Sequence, residues 1–181
     1  MQRTNSQTNR SPKVRTLVLT GLFSALIYVF TAYLHVPTGA GYTHAGDGLI
    51  YLAGSILPTP YAAAAGAIGG GLADGLTGFA VWMPATIVIK MITSLFFSNK
   101  SKNIITLRNI LAIVPSLVLC VVGYSLYEGI VIAGGFSKAA IIAAFGQTPA
   151  YCVQVFASAV LYIAAGTTLD KMDFKKTINC K

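Results

Sequence analysis

Charged side chains are scarce in this chain, where Asp, Glu, Lys and Arg make up only 10% of 181 residues. A soluble domain of this size carries about 25% charged residues. The low charge, together with 55% hydrophobic residues, therefore excludes an ordinary soluble globular protein. Acidic residues are the rarest, with five against thirteen basic ones. The composition indicates a membrane protein with an excess of positive charge.

Side chains that bind metals are also few. The three cysteines, Cys120, Cys152 and Cys180, form no C-x-x-C pair, which argues against a disulfide framework and against a zinc site. Both histidines, His35 and His44, fall close to one loop and do not make a metal cluster. We therefore expect no metal and no cofactor in this chain.

Motifs for nucleotide binding and for catalysis are missing as well. The glycine-rich run 66–71 resembles a nucleotide loop, but no strand precedes it and no Gly-Lys-Ser/Thr follows it. The pair Gly46 and Asp47 matches only half of the motif of membrane aspartyl proteases, which is a poor match. The chain is therefore predicted not to be an enzyme.

The basic residues fall into three clusters. These are Arg3, Arg10, Lys13 and Arg15, then Lys100, Lys102 and Arg108, and finally Lys171, Lys175, Lys176 and Lys181. Lys and Arg beside membrane spans mark the cytoplasmic side. Attraction to anionic lipid explains the clusters better than nucleic acid does, because no continuous basic face is present. All three clusters are therefore predicted to be cytoplasmic.

The apolar blocks between the clusters predict six transmembrane helices. A span needs about 20 apolar residues, and 16–35, 83–98, 109–133 and 139–168 each supply one. The stretch 48–76 must be a helical hairpin broken at Pro58 and Pro60, because the clusters near 15 and 100 share a side only with an even number of crossings. The result is an all-α polytopic membrane protein with both termini cytoplasmic. Its predicted parts are a basic segment at 1–15, the membrane domain at 16–170 and a basic tail at 171–181.

The second of these helices is too short to span. At 1.5 Å per residue, 48–57 rises only ~15 Å, half of a ~30 Å hydrocarbon core. The loop 36–46 must then enter the membrane from outside, which irregular backbone does only against protein or a water-filled cavity. We interpret this loop as a lid or gate. The alternative is that it only connects two helices and has no role in binding.

Polar side chains in the apolar blocks indicate the binding site, since ionisable groups inside a membrane are costly and usually functional. Their positions along the helices place most of them in the middle and the outer half of the membrane. This distribution predicts a cavity that opens to the outside and is closed on the cytoplasmic side. The alternative is that Lys90 pairs with an acid only to hold helices together. The candidate ligand-binding residues of this kind are His44, Asp47, Asp74, Lys90, Glu128, Gln147 and Gln154.

Aromatic residues are candidates for the walls of a site that binds a planar ring. Among Tyr42, Trp82, Tyr124, Tyr127 and Tyr151, we favour Trp82 and Tyr151. The alternative is that these side chains only follow the preference of Trp and Tyr for the membrane interface.

Small residues recur every four positions on two helices, which is typical of close helix packing. Ala62, Gly66, Gly70 and Asp74 form one such ridge, which we expect to pack internally and to bring Asp74 to the cavity. On the first helix, Gly21 and Ala25 form a second. It is predicted to dock a membrane partner, with internal packing as the alternative.

Three motifs between residues 42 and 91 resemble a known family. They are Gly46-Asp47-Gly48-Leu49-Ile50-Tyr51-Leu52-Ala53, Leu72-Ala73-Asp74 and Thr86-Ile87-Val88-Ile89-Lys90. They resemble the S components, the substrate-binding membrane subunits, of energy-coupling factor (ECF) transporters, in particular the hydroxymethylpyrimidine-type branch. Two departures are Pro58-Thr59-Pro60 in a turn where the family has glycine, and Gly21 in the family's A-x-x-x-A motif.

The resemblance implies a multi-pass protein of the bacterial cell membrane that captures a water-soluble vitamin or precursor. Hydroxymethylpyrimidine is favoured, with pyridoxine next. The implied partners are a membrane coupling subunit and two ATPase subunits, which would use the ATP. Two alternatives remain: an ion-coupled carrier that relays protons through Asp74 and Lys90, and a membrane hydrolase that uses Asp47 and Asp74.

Overall fold

A computed structural model describes residues 12–38 and 41–178 of the chain. Four residues named above, Arg3, Arg10, Cys180 and Lys181, lie outside these ranges, as do positions 39 and 40 of the predicted lid loop. In chain order the elements are α1 Pro12–Ala32, β1 His35–Thr38, β2 Gly41–His44, α2 Asp47–Ile56, α3 Thr59–Leu76, α4 Met83–Leu95, α5 Leu107–Leu111, α6 Ile113–Leu126, a π-helical segment Tyr127–Ile132, α7 Lys138–Phe145, α8 Thr148–Lys171 and α9 Phe174–Ile178.

Three helical stretches are long and apolar enough to cross a membrane. They are Lys13–Ala32, Leu107–Ile132 and Lys138–Lys171, while Asp47–Ile56 and Met83–Leu95 are shorter apolar helices. The predicted helical membrane protein is therefore confirmed in outline. The number of spans and the orientation in the membrane stay predictions.

The break at Pro58 lies where the sequence predicts it. Leu57 and Pro58 have extended backbone, with ψ of 154° and 143°, and α3 then begins with Pro60 in its first turn. Proline is tolerated there because the first N–H groups of a helix have no partner within it. The preceding helix α2 has ten residues, all buried, so it rises only ~15 Å.

The segment between α1 and α2 is more regular than predicted. The predicted first helix reaches residue 35, but α1 ends at Ala32 because His35–Thr38 pairs antiparallel with Gly41–His44. Strand pairing satisfies backbone groups that an irregular loop would leave open. The predicted lid segment is therefore a β-hairpin.

Glycines on one side of α3 bring three helices together. On the predicted ridge, a Cβ added at Gly66 would lie 3.0 Å from the Lys90 carbonyl oxygen of α4, and one at Gly70 would lie 3.0 Å from Lys90 Cγ. Beside the ridge, a Cβ added at Gly69 would lie 2.7 Å from the Ser24 carbonyl oxygen of α1. Only glycine permits backbones to approach this closely. The ridge therefore packs internally, and it directs Asp74 towards the site described below.

The described members of the three basic clusters meet at one end of the molecule, here called the basic end. Arg15 Nη1 donates to the Ile178 carbonyl at 2.7 Å, and Lys175 Nζ donates to the carbonyls of Asn99 at 2.9 Å and Ser101 at 2.6 Å. These contacts join the start of α1, the segment after α4 and the helix after α8. The remaining polar side chains discussed below lie towards the opposite end.

Candidate ligand-binding pocket

A pocket of about 440 Å³, including space open to solvent, lies at the end opposite the basic end. Thr31, which lines it, follows Arg15 by 16 helical residues, a rise of ~24 Å. The lining combines aromatic rings with hydrogen-bonding groups. It consists of Thr31, Gly41, Tyr42, His44, Asp74, Trp82, Thr86, Tyr124, Gln147, Tyr151 and Gln154.

The β-hairpin forms one side of this pocket and is held to the helices around it. The Tyr42 hydroxyl donates to Asp74 Oδ1 of α3, and the Thr43 hydroxyl donates to the Ala150 carbonyl of α8 at 3.4 Å. The Tyr42 ring also packs on Phe79, with 4.6 Å between ring centroids. Opening the pocket on this side requires these contacts to break.

Three aromatic side chains form a wall. The Tyr124 and Tyr151 rings stack with centroids 5.7 Å apart and 19° between planes, and Trp82 meets Tyr124 edge-on at 5.9 Å. The Tyr124 hydroxyl shares a 3.0 Å hydrogen bond with Thr86. The stacked pair with its edge-on neighbour favours a planar ring, because aromatic groups prefer stacked and edge-on arrangements.

A buried ion pair lies behind the wall. Lys90 Nζ is 2.7 Å from Asp47 Oδ1, and their side chains are only 2% and 4% exposed. The same ammonium group lies 5.3 Å from the centroid of the Tyr124 ring. The pairing of Lys90 with an acid, considered above as an alternative, is therefore present, and the pair supports the pocket without lining it.

Both glutamines of the pocket are fixed by carboxylates. Gln154 Nε2 donates to Asp47 Oδ2 at 2.9 Å, and the same nitrogen donates a longer hydrogen bond to Cys120 Sγ at 3.8 Å. Gln147 Nε2 donates to Glu128 Oε2 at 2.8 Å. Glu128 lies on the π-helical segment Tyr127–Ile132, a geometry that occurs often at functional sites.

His44 closes the base of the hairpin in its neutral form. Its Nδ1 accepts from the Gly46 backbone N–H at 3.1 Å, so the ring proton is on Nε2. Burial lowers the pKa of His44 to about 4, because the charged ring loses its hydration. Burial, together with the negative charge of Asp74, raises the pKa of Tyr42, so its hydroxyl keeps its proton and donates.

The structure brings together the predicted site residues. His44, Asp74, Trp82, Gln147, Tyr151 and Gln154 line the pocket, while Asp47, Lys90 and Glu128 lie behind it and bind lining residues. Gly21 and Ala25 lie elsewhere, on an exposed face of α1. The roles of all these residues in ligand binding and docking stay predictions.

Two lining side chains, Thr31 and Thr86, were not among the candidates, and two others, Tyr42 and Tyr124, were candidates for the wall that were not favoured. Two had a readable signal. Thr86 precedes Lys90 by one helical turn and shares its face, and Tyr42 precedes His44 by two residues on one strand and shares its side. Tyr124 and Thr31 lie on other helices, and only helix packing places them.

Among residues 12–38 and 41–178, no three His, Cys, Asp or Glu side chains gather where they would hold a metal ion.

Comparison with known protein families identifies a match for this chain. The family model described as "ECF-type riboflavin transporter, S component" matches residues 11–171. The match includes every residue that lines the pocket, and it does not single out the hydroxymethylpyrimidine branch. No curated protein matches the chain significantly.

Proposed function

Since this chain belongs to the family of ECF-type riboflavin transporter S components, we propose that its pocket captures a compact planar vitamin or vitamin precursor. S components are the substrate-binding membrane subunits of transporters, so the chain is a transport component and not an enzyme. Its partners are the membrane coupling subunit and the ATPases of an ECF module. Hydroxymethylpyrimidine is our first candidate ligand and pyridoxine the second.

The observation that carries this proposal is the combination of stacked aromatic rings and fixed amide groups in one pocket. Tyr124, Tyr151 and Trp82 offer flat apolar contact, and Gln147 and Gln154 offer hydrogen bonds at defined positions. The enclosed part of this pocket measures only about 40 Å³, well below the ~300–1,000 Å³ of small-molecule sites, so a ligand enters only after the hairpin or the lining side chains move. These features favour a ligand with one ring and short polar substituents.

Riboflavin is the third candidate, because the description of the matched family names it. Its three fused rings and ribityl chain need more space than one ring does. Binding it would require the hairpin to move away from Phe79 and Ala150, which Tyr42 and Thr43 contact.

Calorimetry on the purified protein tests the ligand. We expect hydroxymethylpyrimidine to bind most tightly, pyridoxine next and riboflavin more weakly. Riboflavin as the tightest ligand would contradict this order and favour the third candidate. Absence of binding by all three, for protein that is folded and free of co-purified ligand, would overturn the proposal.

The energy source is tested by uptake. We propose that delivery across the bacterial cell membrane depends on ATP hydrolysed by the partner subunits. Cells that express this chain without the coupling module should then take up no radiolabelled ligand. Sustained uptake in those cells would favour the ion-coupled carrier that uses Asp74 and Lys90.

A further inference from the structure

The two carboxamides that line the pocket share one orientation. Gln154 directs its Nε2 to Asp47 Oδ2 and Gln147 directs its Nε2 to Glu128 Oε2. An ionised carboxylate only accepts hydrogen bonds, whereas a carboxamide has one donor end and one acceptor end. Each carboxylate therefore binds the Nε2 of its glutamine, and the Oε1 of that glutamine is directed away from the carboxylate.

The carbonyl oxygens of both carboxamides are free to accept. No described residue donates to Gln147 Oε1 or to Gln154 Oε1, although the Gln154 side chain is almost fully buried. Neither oxygen is among the buried side-chain atoms that lack a partner, so both stay accessible to water or to a ligand in the pocket. A ligand with donors on the matching edges would pair with them.

Asp74 adds a third acceptor to the same pocket. Its Oδ1 accepts from the Tyr42 hydroxyl, its Oδ2 is buried without a hydrogen bond of standard geometry from the described residues, and the Thr86 hydroxyl interacts with the same carboxylate. Asp74 comes from α3, and the two glutamines come from the start of α8 and from its second turn. Acceptors thus approach the pocket from two directions.

We propose that this pocket selects its ligand by hydrogen-bond donors, so that the substrate class is a planar ring with amino, N–H or hydroxyl groups on at least two edges. Glu128 and Asp47 are positioning residues, because they hold the carboxamides without lining the pocket. This inference rests on the proposed function for the existence of a ligand. The orientation of the two carboxamides, however, is a property of the ligand-free protein.

Nuclear magnetic resonance without ligand tests the orientation. The chain has four glutamines, Gln2, Gln7, Gln147 and Gln154, so selective ¹⁵N labelling gives four side-chain NH₂ pairs, and Gln147→Met and Gln154→Met assign two of them. We expect both assigned pairs to exchange with water at least tenfold more slowly than the side-chain NH₂ group of glutamine in a short peptide under the same conditions. Glu128→Ala should abolish the slow exchange of Gln147 alone. Fast exchange in the wild type, or no effect of Glu128→Ala, would overturn the inference.

Calorimetry with matched ligands tests the selection. Each parent compound is compared with an analogue that lacks one donor: hydroxymethylpyrimidine with methyl in place of its amino group, and pyridoxine with its 4-deoxy form. For each parent compound that binds, we expect its analogue to have an affinity lower by about tenfold or more, because one acceptor of the pocket is left without a hydrogen-bond donor. In the Glu128→Gln variant, the side chains at positions 128 and 147 are both amides, and the Gln147 carboxamide is free to reverse its orientation. The difference in affinity between parent compound and analogue should then be smaller than in the wild type.

Equal affinities for parent and analogue in the wild type would overturn donor selection even if the proposed function holds. Failure of every parent compound to bind would instead count against the proposed function. In that case the exchange experiment still decides the orientation of the carboxamides.

Discussion

Lys90 and Asp47 hold each other inside the protein, with 2.7 Å between Nζ and Oδ1 and almost no exposure of either side chain. The pair joins α4 to α2, and Asp47 extends the connection to α8 through Gln154. Removing one member leaves the other charge buried without a partner, which costs about 3–5 kcal/mol. The pair therefore determines how firmly these three helices support the pocket.

Substitution of the ion pair gives the first prediction. We expect Asp47→Ala to weaken ligand binding and to lower the thermal midpoint, because it releases Gln154 and leaves Lys90 uncompensated. The double variant Asp47→Leu with Lys90→Met should be less destabilised than the sum of its single variants. Melting curves in detergent check this, and simple additivity would contradict it.

The hydroxyl of Tyr42 gives the second prediction. Tyr42→Phe keeps the ring against Phe79 and removes the hydrogen bond to Asp74. A hydrogen bond to a charged group contributes about 1.5–3 kcal/mol, so we expect bound ligand to dissociate about tenfold faster. Stopped-flow displacement measures this rate. Tyr33→Phe, at an exposed tyrosine at the end of α1, is the matched control and should leave the rate unchanged.

The buried imidazole of His44 gives the third prediction, a dependence of stability on pH. Its pKa falls from 6.5 to about 4 on folding, so the unfolded chain binds a proton at a pH where the folded chain does not. The resulting loss of stability is absent above pH 6.5 and grows as the pH falls towards 4. At pH 5 it amounts to about 1–2 kcal/mol.

Comparison with His44→Asn isolates this contribution. Asparagine does not titrate, and its side-chain oxygen accepts a hydrogen bond as His44 Nδ1 does. We expect the thermal midpoint of the wild type to fall more than that of the variant between pH 7.5 and pH 5. Parallel pH profiles for the two proteins would show that His44 does not titrate in this way.

The exposed face of α1 gives the fourth prediction. A Cβ added at Gly21 meets no atom within 4 Å, so Gly21→Leu should leave stability and ligand affinity unchanged. We expect it to reduce co-purification with the coupling subunit, since a bulky side chain prevents close helix approach. Ala164→Leu, at an exposed alanine of α8, is the control. Normal co-purification of Gly21→Leu would place the docking face elsewhere.

The tail lysines give the fifth prediction. Lys175 Nζ donates to the carbonyls of Ser55, Asn99 and Ser101, whereas Lys176 forms only an exposed ion pair with Asp173. Exposed pairs contribute little. We therefore expect Lys175→Met to cost about 2 kcal/mol and Lys176→Met almost nothing, as measured by thermal unfolding. Equal effects would contradict this assignment.

Sequence reasoning located the site better than it described the contacts within it. The break at Pro58 and the half-length α2 follow from proline geometry and from the parity of the basic clusters. The rule that intramembrane ionisable groups are functional found Asp47, Asp74 and Lys90. It did not identify Asp47 as the partner of Lys90, because that choice depends on how α2, α3 and α4 rotate against each other.

The hairpin and the π-helical segment were harder to predict for a different reason. Pro37 and the glycines of 36–46 are typical of irregular loops, and the strand pairing depends on tertiary support from Phe79 and Ala150. The π-helical segment has no sequence signature, so the position of Glu128 against Gln147 had no local signal.

The contacts of Lys175 set an order for the assembly of the protein. Helix α9 is synthesised after α2 and after the 99–101 segment. The carbonyl groups of Ser55, Asn99 and Ser101 therefore form their hydrogen bonds to Lys175 only after α9 has been synthesised. A nascent chain arrested before residue 175 therefore contains all of the pocket but lacks the contacts of Lys175 with α2 and with the 99–101 segment. Completion of this fold during translation therefore depends on the contacts of Lys175 at the basic end, far from the pocket.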